Sequence, residues 1–222
     1  MTTGILIALS AVCSFLIYLY IKKDKALSAD KRINLKALKP SGKKQIITYF
    51  LIPITLIAVS LMLNLFYQLS IFEILKRVLL VSILWPIAIT DFKEYRVPNN
   101  LILTGLICRT IVLISEFIFD YHIAIVTLIS DAIALVFVVI LCVVCRLIAK
   151  GGLGMGDVKL LMLMAIMLGT EGLCYSLFIS VIFSSAIAII LLISKKKQKK
   201  DVLPFAPFIL MGTIISLIIS GV

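Results

Sequence analysis

Stretches of some twenty apolar residues recur along this chain, parted by short polar segments, and no other feature constrains the fold as strongly. A helix that crosses the hydrocarbon core needs ~20 mostly apolar residues, with every backbone polar group paired inside the span. By that rule eight candidates stand near 4–21, 46–67, 72–90, 100–118, 122–145, 158–171, 173–193 and 202–221. The sixth is short, and only the turn-like GTEG of 169–172 divides it from the seventh. With 62% hydrophobic residues, 15% charged residues and a mean hydropathy of +1.20, the chain lies well outside the range of soluble domains. The expected fold class is therefore all-α, a polytopic membrane helical bundle of about eight transmembrane helices. Residues 1–71 should form N-terminal membrane segments with a short basic loop, and 72–222 the membrane domain that carries the chemistry.

The loop charges orient the bundle. Residues 22–45 hold nine Lys/Arg against two Asp, and SKKKQKKD at 194–201 holds five lysines. Lys93 and Arg96 follow the third span, and Arg146 and Lys150 the fifth. With eight spans all four regions fall on one side, which the positive-inside rule makes cytoplasmic, leaving both termini extracytoplasmic. Lys76 and Arg77 run against this rule early in the third span, where long side chains are expected to snorkel. The net charge of +11 is thus topological and a contact with anionic lipid. Nucleic acid is not an expected partner, because no basic patch is interleaved with stacking aromatics. Cys142 and Cys145 form the one C-x-x-C, inside an apolar run and without two further ligands, so neither a metal site nor a cofactor is expected. The first apolar stretch has basic residues after it and no A-x-A-like site, so it reads as a retained anchor.

This topology puts two acids at one depth. Asp91 closes the third span in TDFKEYRVPNN (90–100), and Asp157 opens the sixth in GGLGMGDVKL (151–160). The backbone beside each is unusual. Gly151, Gly152, Gly154 and Gly156 permit close approach of another chain. Pro98 biases Val97 toward an extended conformation and suits the start of the next helix, so 91–99 should be a short shaped loop. Both acids therefore sit beside backbone that can meet an extended peptide. Paired carboxylates can share a proton, one taking a proton from water while the other hydrogen-bonds a scissile carbonyl. Helix dipoles would keep Asp157, at an N-terminus, anionic and leave the proton on Asp91, at a C-terminus.

The combination of GMGDVKL and DFKEYRVPN resembles the paired signatures of the prepilin and preflagellin peptidases, the GxGD-type membrane aspartyl proteases. LPFAPFILMG (203–212) resembles that family's C-terminal Pro-Phe-x-Pro-Phe stretch, so the likeness covers roughly 72–222. It implies Asp91 and Asp157 as the catalytic pair, with Gly154, Gly156, Lys159, Val97, Pro98 and Asn99 shaping the site or binding substrate. It also implies pilin-like precursor proteins as partners, cut after a Gly that ends a short basic leader, at the cytoplasmic face of a prokaryotic inner membrane. Many bacterial members carry a large cytoplasmic domain with two C-x-x-C pairs and also N-methylate the new N-terminus. Here the 22–45 loop is short and has no cysteine. The expectation is the peptidase-only form that serves Tad-type pili or archaeal filaments.

Other charged residues receive structural readings. Lys159, about 200° around the helix from Asp157, should point away from the acid and snorkel toward lipid phosphate. Arg109 and Asp131, mid-span on neighbouring helices, should form an ion pair, since lone charges at that depth are costly. Glu94 and Arg96, flanking the loop, either touch the substrate or are solvated, the second being favoured, and His122, in the outer turn, should be remote from the chemistry. Pro204 and Pro207 should fall early in the last helix, where they either kink it beside the site or are ordinary helix-start prolines. Two other function classes fit some of these features. A proton-coupled transporter would place its acids near the midplane in symmetric broken helices, and a structural secretion subunit would use them only as boundary markers. Presenilin-like GxGD proteases share the second signature, but the Val-Pro-Asn loop favours the pilin-processing branch.

Overall fold

The computed structural model describes residues 8, 10–17, 20, 43–148, 154–194 and 203–221, with backbone alone over 43–50. Gly151, Gly152, Lys150 and nearly all of both lysine-rich segments lie outside the described residues. Six helices follow in order: α1 (Lys43–Leu65), α2 (Ile71–Glu94), α3 (Asn99–Phe119), α4 (Tyr121–Ile148), α5 (Met155–Ile193) and α6 (Ala206–Ile219). Residues 10–17 are also helical, and Cys13 and Ile17 join the common core. The described residues contain helices and no strands. Three of the helices, α3, α4 and α5, are long and apolar enough to cross a membrane. The other expected spans behave differently. In α1 the apolar part is Leu51–Leu65, α6 has 14 residues, and α2 is long but carries charges at both ends.

Local signals explain the limits of α2. Ser70 accepts the N–H of Glu73 at 3.3 Å, the Ser-x-x-Glu pattern of a helix start. At the other end Tyr95 adopts the left-handed conformation (φ 53°, ψ 38°) and donates its N–H to the carbonyl of Asp91 at 2.9 Å. Pro98, at φ −69° and ψ 122°, then caps α3. The helix thus runs one turn past Asp91, and the expected 91–99 loop contracts to 95–98.

α5 is not one rod. Gly169 stands at φ 68° and ψ −167°, so the run consists of two legs, 155–168 and 170–193. The break falls on the first residue of GTEG, where the sequence placed the division. Ser176 and Ser180 lie against Gly212 of α6, and Gly212 stands between the Ala206 end and the Gly221 end of that helix. The second leg therefore lies alongside α6 instead of extending the first leg beyond it. α5 packs on α4 and α6, α2 on α1, α3 and α6, and α3 on α4. The core between them includes Ile74, Leu84, Ile87, Leu160, Met164, Leu173 and Ile209.

Among the described residues six charged side chains are buried, and four of them form one network. Arg109 donates to Asp131 Oδ2 from Nη2 at 2.6 Å and from Nε at 3.1 Å, and to Glu116 Oε2 from Nη1 at 3.1 Å. Lys76 Nζ stands 3.5 Å from Glu116 Oε1. Arg109 Nε also reaches the carbonyl of Ile166 at 2.8 Å, in the turn that precedes the Gly169 break. The expected Arg109–Asp131 pair is present, and it is half of a larger network. The snorkelling expected of Lys76 and Arg77 is not seen. Lys76 is buried against Glu116, and buried Arg77 donates to the carbonyl of Gly221. Inward partners satisfy both charges more fully than a stretch to the surface would.

Candidate active site

α2 ends with Asp91 in its last turn, and α5 begins with Asp157 in its first. Sixty-six positions apart in sequence, the two line one open cleft of about 700 Å³, together with Tyr95, Arg96, Val97, Asn99, Gly154, Gly156, Lys159 and Leu203–Phe205. Two contacts join the motifs. Lys159 Nζ donates to Asn99 Oδ1 at 3.0 Å. A methyl group at Gly156 would lie 3.1 Å from both Cβ and Cγ2 of Val97, closer than side chains ordinarily come. Only glycine lets the first turn of α5 seat this tightly against the 95–98 segment.

The acids differ in their surroundings. Asp91 is 5% exposed, and its Oδ2 accepts the N–H of Ala206 at 2.9 Å. Ala206 opens α6, so that helix points one of its free amide groups at the carboxylate. Asp157 is half-buried and stands ahead of the apolar run that starts at Val158, hence outside the span. Burial first and the charge of Asp91 second push its carboxyl up to about 6. Helix-dipole reasoning keeps Asp157 anionic; loss of water and a neighbouring negative charge outweigh that bias of about 0.3–1 kcal/mol.

Several sequence expectations change here. Lys159 lines the cleft instead of turning toward lipid, because α3 supplies a partner on the far side of the acid's helix face. Glu94 and Arg96 are both exposed, and Arg96 also lines the cleft. Pro204 precedes α6 and forms part of the cleft wall, and Pro207 sits in the first turn, so neither kinks the helix from within. His122 is exposed at the start of α4 and takes no part in the cleft. Cys142 and Cys145 are free thiols, and no cluster of metal-ligating side chains is found among the described residues. The donation from Ala206 to Asp91 was not legible in advance. A backbone amide has no identity in a sequence, and only the Pro-Phe-x-Pro-Phe resemblance pointed to this region.

Comparison with known proteins bears on the same residues. Residues 78–192, just over half of the chain, match the type IV leader peptidase family, and the match contains both Asp91 and Asp157. The chain is 25% identical over 144 residues to the prepilin leader peptidase/N-methyltransferase of Bacillus subtilis (strain 168), an alignment covering 65% of this chain and 55% of that protein. It thus spans about half the length of this curated relative. No solved structure matches. On the strength of the family match, which takes in both acids and the loop between α2 and α3, the chain belongs to the type IV leader peptidase family.

Proposed function

We propose that this protein is a membrane aspartyl endopeptidase that removes the short basic leader from type IV pilin-like precursors. Cleavage falls after a glycine, at the cytoplasmic face of a prokaryotic inner membrane, and the substrates are of the Tad/Flp or archaellin type. The observation that carries the reading is the meeting of Asp91 and Asp157 in one cleft open at the ends of α2 and α5. The family match supports the precursor class, and the basic loops of the sequence support the face.

The chemistry follows from the two environments. Asp157, with its carboxyl pushed up to about 6, holds the shared proton and donates it in a hydrogen bond to the scissile carbonyl oxygen. Asp91, positioned by the Ala206 amide, takes a proton from the attacking water. Water adds to the carbonyl carbon to give a tetrahedral diol. As the diol forms, the Asp157 proton passes to its oxygen. Collapse breaks the C–N bond as Asp91 passes the proton taken from water to the amine nitrogen and a diol hydroxyl returns a proton to Asp157, which releases the leader and the mature N-terminus. Lys159 and Asn99, bonded across the cleft, hold its two walls in register. The short, cysteine-free 22–45 segment supports peptidase activity without N-methylation.

Co-expression with a precursor that has a basic leader, a glycine and an apolar helix tests the assignment. The expected result is a downward gel shift with the unaltered chain and none with the Asp91→Asn, Asp157→Asn double variant at equal membrane abundance. Equal processing by the two would refute it.

A further inference from the structure

A second, smaller cavity lies at the end of α2 opposite the cleft. Its volume is about 220 Å³, and it sits between the first turns of α2, the early part of α4 and the Gly169 break of α5. Glu73, Lys76 and Arg77 all line it, since positions three and four apart share one helix face. None of the three takes part in the proposed chemistry.

The buried charges around this cavity do not balance. Of those among the described residues, Asp91 belongs to the cleft. The rest are three cations, Lys76, Arg77 and Arg109, against two carboxylates, Glu116 and Asp131. Arg109 holds both acids in hydrogen-bonded pairs. Lys76 Nζ reaches only Glu116 Oε1, at 3.5 Å, and neither atom has a hydrogen-bond partner among the described residues. Arg77, 8% exposed, has no carboxylate in ion-pair contact. Its one hydrogen bond goes to the neutral carbonyl of Gly221, and Glu73, one turn back, attracts it without touching it. A buried charge without a counter-ion is expensive. At ~30 Å³ each the cavity could hold about seven waters, but water brings no negative charge. An anion does.

The rest of the lining narrows the class of anion. Ser130 Oγ and Thr170 Oγ1 stand 3.3 Å apart, and only one can donate to the other, so one hydroxyl hydrogen is left over for an acceptor. Tetrahedral phosphate oxygens suit a guanidinium, an ammonium and a hydroxyl together. The mouth has the opposite sign, for half-buried Glu73 and exposed Glu171 also line the cavity. A bare anion gains nothing from these two acids, whereas a head group with a cation outboard of its phosphate is paired at both ends. Val126, Met167 and Leu168 add an apolar wall, which suits a molecule with an acyl tail.

We infer that this cavity binds the head group of an ammonium-bearing phospholipid, its phosphate on Lys76 and Arg77 and its ammonium on Glu73 and Glu171. The occupant also touches residues 167–171, so it braces the turn that joins the two legs of α5. The site does not depend on the peptidase reading.

The test uses the full chain, purified in detergent and stripped of lipid. It is titrated separately with phosphatidylethanolamine, with phosphatidylglycerol, which lacks the ammonium, and with inorganic phosphate. Native mass spectrometry counts bound lipid, and thermal melts read stabilisation. The expected result is one phosphatidylethanolamine per chain, held at least about tenfold more tightly than phosphatidylglycerol. Arg77→Gln should weaken it by about tenfold or more, and Glu73→Gln, at the half-exposed mouth, should erase the preference between the two lipids. If Arg77→Gln does not fold, the unaltered chain and Glu73→Gln still decide. Equal binding of the two lipids by the unaltered chain, or a preference that Glu73→Gln leaves intact, would overturn the inference. Stabilisation by inorganic phosphate with no lipid retained would also overturn it, and would assign the cavity to a free anion.

Discussion

A methyl group at position 156 would press on Val97, a residue with a branched side chain and little freedom to yield. Gly156→Ala is therefore expected to push the first turn of α5 away from the 95–98 segment, with Asp157 moving alongside. We expect the variant to accumulate in the membrane and to process precursor at least about tenfold more slowly, since small misplacements of reacting groups are costly. The neighbouring acid makes its own predictions. Asp157 titrates near 6 when the chain is folded, against an ordinary value of 3.8. A raised carboxyl penalises the folded state once it is ionised. Asp157→Asn should thus be more heat-stable than the unaltered chain above about pH 6, and the difference should vanish below the ordinary carboxylate range. Thermal melts in detergent across that window check it. The proposed mechanism needs the same proton, so kcat/KM should decline as pH rises past about 6, by about tenfold per pH unit. A pH–rate profile that stays flat from 5 to 8 would remove Asp157 from the proton-donating role.

The helices were the most legible level of this sequence. Apolar stretches of the right length marked every helix from α1 to α6, and GTEG marked the break that the backbone makes at Gly169. The partners of the buried charges were less visible. Arg109 and Asp131 could be matched by counting depth along neighbouring helices, but Lys76 was expected to snorkel and nothing in the sequence pointed to Glu116. Their place in the interior follows from how α2, α3 and α4 rotate about their axes, and hydropathy does not encode that rotation. The network has a mechanical consequence. Arg109 binds two acids and the Ile166 carbonyl next to the helix break, so it ties α3, α4 and the first leg of α5 together. Arg109→Ala would strand Asp131 without its cation and leave Glu116 with Lys76 alone, at a cost of about 3–5 kcal/mol. We expect a sharply lower melting temperature and low abundance. Arg109→Lys should recover only part of this, because one ammonium cannot reproduce the planar fork.

Across the whole molecule, the proposed function rests on the cleft where distant segments meet at one end of the bundle. The two motifs named candidate residues, and of the described ones the fold places Gly154, Gly156, Asp157 and Lys159 from one motif and Asp91, Val97 and Asn99 from the other in the cleft, whereas Pro98 caps α3 and does not line it. The direction of Lys159 was misread, since periodicity on a single helix says nothing of what the next helix presents. The third wall, Leu203–Phe205 with the Ala206 amide behind it, closes the cleft around Asp91. In this account α6 serves the site by its first turn, and its remainder holds the second leg of α5 in place. The most direct measurement is the rate at which the purified chain, in proteoliposomes, cleaves a leader–glycine–apolar-helix precursor when each acid alone becomes its amide. The account predicts that Asp91→Asn and Asp157→Asn each lower that rate by at least about a thousandfold while both variants stay folded. Retention of near-normal cleavage by either single variant would contradict it.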